Sequence, residues 1–495
     1  MRCLWLLKRL LIVFTLLFLC DLSFKALFEL TTDLRSSNNY NNIDYVDDFN
    51  AKDDEKAVKI YLSQMQKGTV YVRPVVEKES KVSENYWCFL KRPTVIKQSR
   101  EWTGMAGIAV FSAYYDDRPN SLFPKHNSIQ ILVVSNHTIE GKVKFYCNIF
   151  LKNEGSATVK GYVREIWQKG WDPRNSYQVP SLITCPIPKR IQTKFPMYTV
   201  SLTRKKCLEG KVAIKVESKK RNGKKKGVAV CVKGLDYQED ISGRLLEWIE
   251  LQYILGADTI TLYYYYLNSK SLKVLKYYEQ QGKLSMTPLK LPPPNNNNPI
   301  ERSMFLKKNR PQKRRHELLP YNDCFYRHIY THKYVLIIDI DEVIVPIRHS
   351  NYDQLLEDVE NRVKNKRISS ISARNVFKFR SNFTIYPDFH YMTNNRKRSR
   401  KTSNVGEYGK SFSSTTTVAT VFNHFALHKL LPNVSESMYF GKSEAIKLHY
   451  KSECPWESRR ECHQLQYDTV TDTSLDHIEN VLIERVEHAV RLIGI

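Results

Sequence analysis

Three carboxylates, Asp339, Asp341 and Glu342, stand where an apolar run ends. Tyr334-Val335-Leu336-Ile337-Ile338 leads into them, and Val343-Ile344-Val345-Pro346 follows. A short continuous apolar run reads as a strand buried on both faces. Acids at the carboxyl end of such a strand fall where open α/β sheets bind their ligands. If the strand continues through them, alternation turns Asp339 and Asp341 the same way, about 7 Å apart, and turns Glu342 to the other side. Two hard oxygen ligands so placed suit a divalent cation that also holds a diphosphate. The plainer reading, a strand end with solvated acids, is what a bare Asp-x-Asp usually means.

The stretches before the acids alternate between the two periodicities. Gly227 to Val232 is a short β-branched strand. In Ile241 to Leu255 the apolar Leu245, Leu246, Ile249, Tyr253 and Ile254 recur at helical spacing, and Gly256 supplies a natural cap. Thr259 to Leu267 predicts a strand, Ser271 to Gln281 a helix, Leu284 to Leu289 a strand and Leu318 to Thr331 a helix. Such alternation predicts a mostly parallel sheet with flanking helices. Tyr352 to Val363 and Ser474 to Ile493 read as further helices, the last one amphipathic.

Upstream, Gly107 to Tyr114, Ser128 to Val134, Lys142 to Phe150 and Thr158 to Trp167 are short β-branched and aromatic runs. They predict a smaller β-rich domain ahead of the α/β one. Arg204 to Lys233 carries twelve Lys and Arg against two Glu, a solvated loop or an anion-binding surface. The boundaries that follow are a β-rich domain with its basic loop at 86–226, an α/β domain at 227–465 and a C-terminal helical segment at 466–495.

Across 495 residues, 77 Lys and Arg face 51 Asp and Glu, a formal charge of +26 that favours anionic partners. No nucleic-acid recognition motif appears, which argues against a polymeric nucleic acid. The amino terminus suggests a compartment. Arg2, Lys8 and Arg9 precede the apolar run Leu10 to Cys20, and no small-residue cleavage site follows. Extended with a snorkelling Lys25, this predicts an uncleaved signal anchor at 10–28, a cytosolic tail at 1–9 and a polar stem at 29–85. The expected placement is a single-pass type II protein of the Golgi membrane with its bulk in the lumen. Eight cysteines beyond the anchor, none in a C-x-x-C pair, predict disulfides, and Asn136, Asn382 and Asn433 open glycosylation sequons.

With these residues assembled, the chain resembles glycosyltransferase family 92. The resemblance rests on Ser112-Ala113-Tyr114-Tyr115-Asp116-Asp117-Arg118, Leu246-Glu247-Trp248-Ile249-Glu250, Leu255-Gly256-Ala257-Asp258 and Asn322-Asp323-Cys324-Phe325-Tyr326-Arg327. It continues through Asp339-Ile340-Asp341-Glu342, Asn423-His424-Phe425-Ala426-Leu427 and Leu448-His449-Tyr450-Lys451, with Gln252 and Lys451 departing from the pattern. It implies a GT-A-like fold and metal-dependent, inverting transfer of a hexose, galactose before others, from a nucleotide-diphosphate sugar such as UDP-galactose to a glycan acceptor. Asp339 and Asp341 would bind donor and metal, Mn²⁺ before Mg²⁺, with His449 or alternatively His424 completing the coordination. Lys451 would contact the donor. An inverting reaction needs a carboxylate base, for which Asp388 and Glu407 are the candidates. Two other readings remain open at this point: a lumenal protein binding polyanions such as heparan, and an inactive scaffold of the same fold.

Overall fold

The computed structural model describes residues 88–495, apart from interruptions at 89, 121–122, 124–126, 152–153, 171, 193–197, 220–222, 365, 381–385, 388, 436 and 452–458. The expected tail, anchor and stem lie outside the described residues. Two large sheets dominate. The first has nine strands between Val95 and Lys215 and is antiparallel except where Val95–Lys97 pairs with Val212–Lys215. Its strands Ile108–Asp116, Ser128–Ser135 and Val179–Pro186 are buried along nearly their whole length. Cys88–Cys207 and Cys147–Cys185 are bonded across it.

The second sheet has eleven strands and begins at Lys226–Asp236. Leu284–Pro288, Ala257–Tyr266, Lys226–Asp236 and His332–Ile337 lie side by side and parallel, as the strand–helix alternation predicts. Helices Ser242–Ile254 and Ser269–Gln280 make the crossovers. Gly256, at φ +99°, turns the chain out of the first helix; a side chain there would press on Asn351 and Tyr352. Helix Arg310–His328 starts eight residues earlier than the periodicity predicts, and Cys324 on it is bonded to Cys231 in the central strand.

Beyond His332–Ile337 the sheet becomes mixed. Lys410–Ser414 pairs antiparallel with it, Ser370–Phe379 pairs antiparallel with Lys410–Ser414, and Ala445–Lys451 runs parallel to Ser370–Phe379. The strand Glu342–Pro346 pairs antiparallel with Ala445–Lys451. The chain therefore leaves one strand at Ile337 and enters another at Glu342, and the acids occupy the turn between them.

The two sheets share a core. Phe111, Tyr114, Leu132 and Leu182 from the first pack in one cluster with Cys231, Tyr263 and Val335 from the second and with Phe325 of helix Arg310–His328. At its centre Asp323 is fully enclosed, and its two oxygens accept hydrogen bonds from the hydroxyls of Tyr114 and Tyr263, each at 2.6 Å. Arg100 lies 3.5 Å away. A second buried pair, Asp116 with Arg118, is anchored when Arg118 donates to the carbonyls of Thr415 and Val418. Burial pushes the Tyr114 and Tyr263 hydroxyls well above their ordinary pKa, with Asp323 adding to the effect, so both remain donors.

The basic cluster 396–401 folds as an electrostatic clasp. Arg396 pairs with Asp476 and Glu479, Arg398 with Asp472 and Arg400 with Asp468, fastening the C-terminal segment to the sheet edge. That segment ends in helix Glu479–Ile493, whose Leu482, Val486, Ala489 and Ile493 are buried. Among the described residues no helix is long and apolar enough to cross a membrane. The expected placement as a single-pass type II protein of the Golgi membrane is corrected on that finding. Arg310–His328, with 19 residues, carries Arg310, Lys313, Arg314, Glu317 and Arg327, which hydrocarbon does not solvate.

Candidate active site

The turn that carries the acids is closed by the Glu342 amide, which donates to the Asp339 carbonyl at 3.0 Å. Strand alternation consequently does not apply across it. Glu342 was expected to face away from Asp339 and Asp341, yet it joins the same cluster, and its Oε2 lies 3.4 Å from the Asp339 amide. All three carboxylates are nearly buried, and each meets a cation. Lys410 donates to Asp339 Oδ2 at 2.9 Å and stands 3.4 Å from Glu342. Lys233 reaches Asp339 Oδ1 at 3.2 Å, Lys447 donates to Glu342 Oε1, and Arg244 stands 3.9 Å from Asp341. Four cations thus face three carboxylates, a balance able to admit a further anion.

Lys447 and His449 alternate along Ala445–Lys451 and face the turn together, as strand geometry requires. Lys451 follows on that face. His449 Nε2 is 3.3 Å from Asp341 Oδ2, and its Nδ1 is 3.5 Å from Glu342 Oε1. Two ligand atoms each about 2.1 Å from an octahedral ion are separated by about 3 Å at adjacent positions. Asp341 and His449 fit that spacing. Asp339 is instead held between two lysines, and no three His, Cys, Asp or Glu among the described residues converge as a ready metal group.

Burial alone would lower the Lys410 ammonium pKa, but Asp339 and Glu342 outweigh it and raise it, so Lys410 keeps its charge. Lys447 is lowered, because burial exceeds the support from Glu342. His424, the alternative ligand, is held neutral by burial and by the nearby Lys410. Its Nδ1 faces the Gly409 carbonyl at 2.8 Å, while its neighbour Asn423 shares Lys410 with Asp339.

Helix Ser242–Ile254 does more than its apolar stripe predicts. Trp248 Nε1 donates to the Glu342 carbonyl at 2.9 Å, fixing the exit of the turn. Gln252 is buried and accepts from Tyr352, so that departure from the family pattern packs inside the fold. Glu247, which is not among the apolar positions of that stripe, is fully buried. It accepts hydrogen bonds from Met392 N at 2.5 Å, Thr393 N at 2.9 Å and Thr393 Oγ1 at 2.6 Å. Sequence reasoning missed Arg244, Lys233 and Glu247. The signal that was there is a glutamate embedded in Leu246-Glu247-Trp248-Ile249, where a helix facing a core has few reasons to carry one.

The remaining candidates separate. Glu407 accepts from Asn404 N and Asn404 Nδ2, both at 2.9 Å, and so caps its own loop. Asp388 and Asn382 lie outside the described residues, as does Cys454, although Cys462 is disulfide-bonded. Asn136 and Asn433 are exposed.

Solved structures similar to the chain include S. aureus TarS 1–349 in complex with UDP-GlcNAc, at 11% identity over 47% of this chain and 60% of that one, with a TM-score of 0.27. The same TarS segment with UDP gives 11% identity, coverage of 47% and 62%, and a TM-score of 0.25. The chain thus spans about 60% of that solved segment's length. No curated protein matches. The glycosyltransferase family 92 model matches residues 226–486, more than half of the chain and the whole acid turn with its cations, and the chain belongs to that family.

Proposed function

We propose that the chain transfers a hexose, galactose before other sugars, from a nucleotide-diphosphate donor to a glycan acceptor with inversion at the anomeric carbon. The observation that carries this reading is the pairing of Asp341 with His449 at 3.3 Å, beside Arg244, Lys410 and Lys447, in the family-matched region. Asp341 and His449 would hold a divalent ion, Mn²⁺ before Mg²⁺, with diphosphate oxygens and water filling the other positions. When bound, such an ion supplies positive charge to the leaving diphosphate.

The chain's own residues do the rest. Lys410 and Lys233 hold Asp339 in place and present charge toward a diphosphate. Arg244 contributes a further donor beside Asp341, and Lys451, at the end of strand Ala445–Lys451, is the remaining proposed donor contact. Asp388 is the proposed base for the acceptor hydroxyl, because Glu407 has both oxygens engaged by Asn404. The test is transfer from a panel of UDP-sugars by the purified chain with Mn²⁺. Transfer from one donor that is abolished by chelator and by Asp341→Ala supports the reading. Asp388→Asn is expected to lower the rate by roughly 10²–10⁴-fold. No transfer and no donor-dependent thermal shift across the panel would overturn it in favour of the scaffold reading.

One observation favours polyanion binding as the second reading. A hollow of about 450 Å³ is lined by Arg398, Arg400, Lys442 and His477 together with Asp472, which pairs with Arg398. Heparin binding that weakens steeply with salt and survives Asp341→Ala would support it.

A further inference from the structure

Residues 389–394 pack on the first turn of helix Ser242–Ile254 by contacts independent of the acid turn. Gly243 leaves the room: a Cβ there would stand 2.8 Å from the Phe389 side chain and 2.9 Å from its backbone. One turn further along, the Glu247 carboxyl takes three hydrogen bonds from Met392 and Thr393, and among the described residues no cation is bonded to it. Asn394 closes the loop, accepting from the Tyr386 amide and donating to its carbonyl. Tyr391 is thereby set with its ring 5.4 Å from the Arg244 guanidinium and 5.8 Å from the Tyr450 ring. Arg244 in turn reaches Asp341, and Tyr450 adjoins His449.

We propose that Glu247 is a positioning residue for sugar transfer: its buried carboxyl latches residues 389–394 to the helix and so holds Tyr391 and Arg244 in register as one wall of the sugar site. A carboxyl group is required because it offers two oxygens to three donors converging from one side. An amide has one acceptor oxygen, and its NH₂ would meet an N–H. All three donors to the Glu247 carboxyl come from Met392 and Thr393, so its bonding fastens that one segment to the helix. Its position is explained if the segment must be held open to ligand on one face and fastened on the other. Tyr391 offers an aromatic face of the kind sugars stack on, and Arg244 is a donor suited to diphosphate or sugar hydroxyls.

The inference rests on the proposed transferase reading, so its test carries a readout that does not depend on turnover. Hydrogen exchange of the Met392 and Thr393 amides is measured in the full chain for wild type, Glu247→Ala, Glu247→Gln and Thr393→Val. Exchange at these amides should quicken at least about tenfold in Glu247→Ala and less in Glu247→Gln. Glu247→Ala combined with Thr393→Val should add little to Glu247→Ala alone, since the one bond that Thr393→Val removes is already lost in Glu247→Ala. In the transfer assay Glu247→Ala should lower kcat/KM roughly 10- to 100-fold, as expected when reacting groups shift by about an ångström. Glu247→Gln should recover part of that loss. Exchange within twofold of wild type in Glu247→Ala overturns the latch. Quickened exchange with unchanged kcat/KM also overturns the positioning role. Should Glu247→Ala fail to fold, the comparison between Glu247→Gln and Thr393→Val decides. If wild type itself transfers no sugar, the functional reading fails while the exchange result still stands or falls alone.

Discussion

Asp323 and Asp341 are both buried carboxylates within motifs that mark the family, yet they are built differently. Asp323 is met by two neutral hydroxyls, from Tyr114 and Tyr263, which come from different sheets and are locked by the surrounding core, with Arg100 farther off at 3.5 Å. Asp341 sits in a turn at a strand end, beside Arg244 and His449, whose contacts at 3.9 and 3.3 Å are long enough to be exchanged. The first arrangement is complete and joins two sheets. The second is charged, clustered with two other acids, and open to replacement of one partner by another. Burial and motif membership therefore do not identify a site. The surroundings do: Asp323 is one acid closed in by hydroxyls from two sheets, whereas three acids and four cations gather at the turn, a charge cluster suited to a ligand.

The comparison breaks first at Asp323. Asp323→Ala leaves two enclosed tyrosine hydroxyls without an acceptor and should cost about 3–5 kcal/mol of stability, read by urea unfolding. A variant that stays stable but loses sugar transfer would move Asp323 into the site. Asp341→Ala should do the opposite, lowering transfer by roughly 10²–10³-fold with thermal stability little changed. Loss of folding in that variant would make the acid turn structural as well.

A third, smaller effect concerns pH. Burial raises the Glu247 carboxyl from its ordinary 4.5 to about 7, against the opposing hydrogen bonds from Thr393 and Met392. The folded chain therefore holds this proton more tightly than the unfolded chain. The contribution is fully present below about pH 4.5 and is lost as pH rises to about 7, worth about 3 kcal/mol across that window. Urea unfolding at several pH values should show the slope in wild type, and Glu247→Gln should lack it. A wild-type slope unchanged in the glutamine variant would assign it to other groups. The smallest effect is expected at Glu407, which caps its own loop through Asn404. Glu407→Gln should change stability by about 0.5 kcal/mol or less and transfer by less than about twofold. A large loss of transfer would restore it as the base.

Sequence alone set much of this molecule. Hydrophobic period placed the parallel strands and the helices Ser242–Ile254, Ser269–Gln280 and Tyr352–Arg362 nearly where they are found, because local packing against a covered sheet imposes those periods. It also put chemistry at Asp339 and Asp341, since acids after a buried strand have no packing reason to be there. Tertiary structure decided the rest. The turn at 339–342 breaks strand alternation, and that brings Glu342 in where the period would send it out. Lys233, Arg244, Lys410, Lys447 and His449 converge on the turn from four separate elements, a meeting that no local spacing encodes. Glu247 shows the same divide: the motif carrying it was legible, but its burial against Met392 and Thr393 required a segment about 145 residues away in the chain. Period is a property of neighbours along the chain, whereas a site is made of neighbours across it.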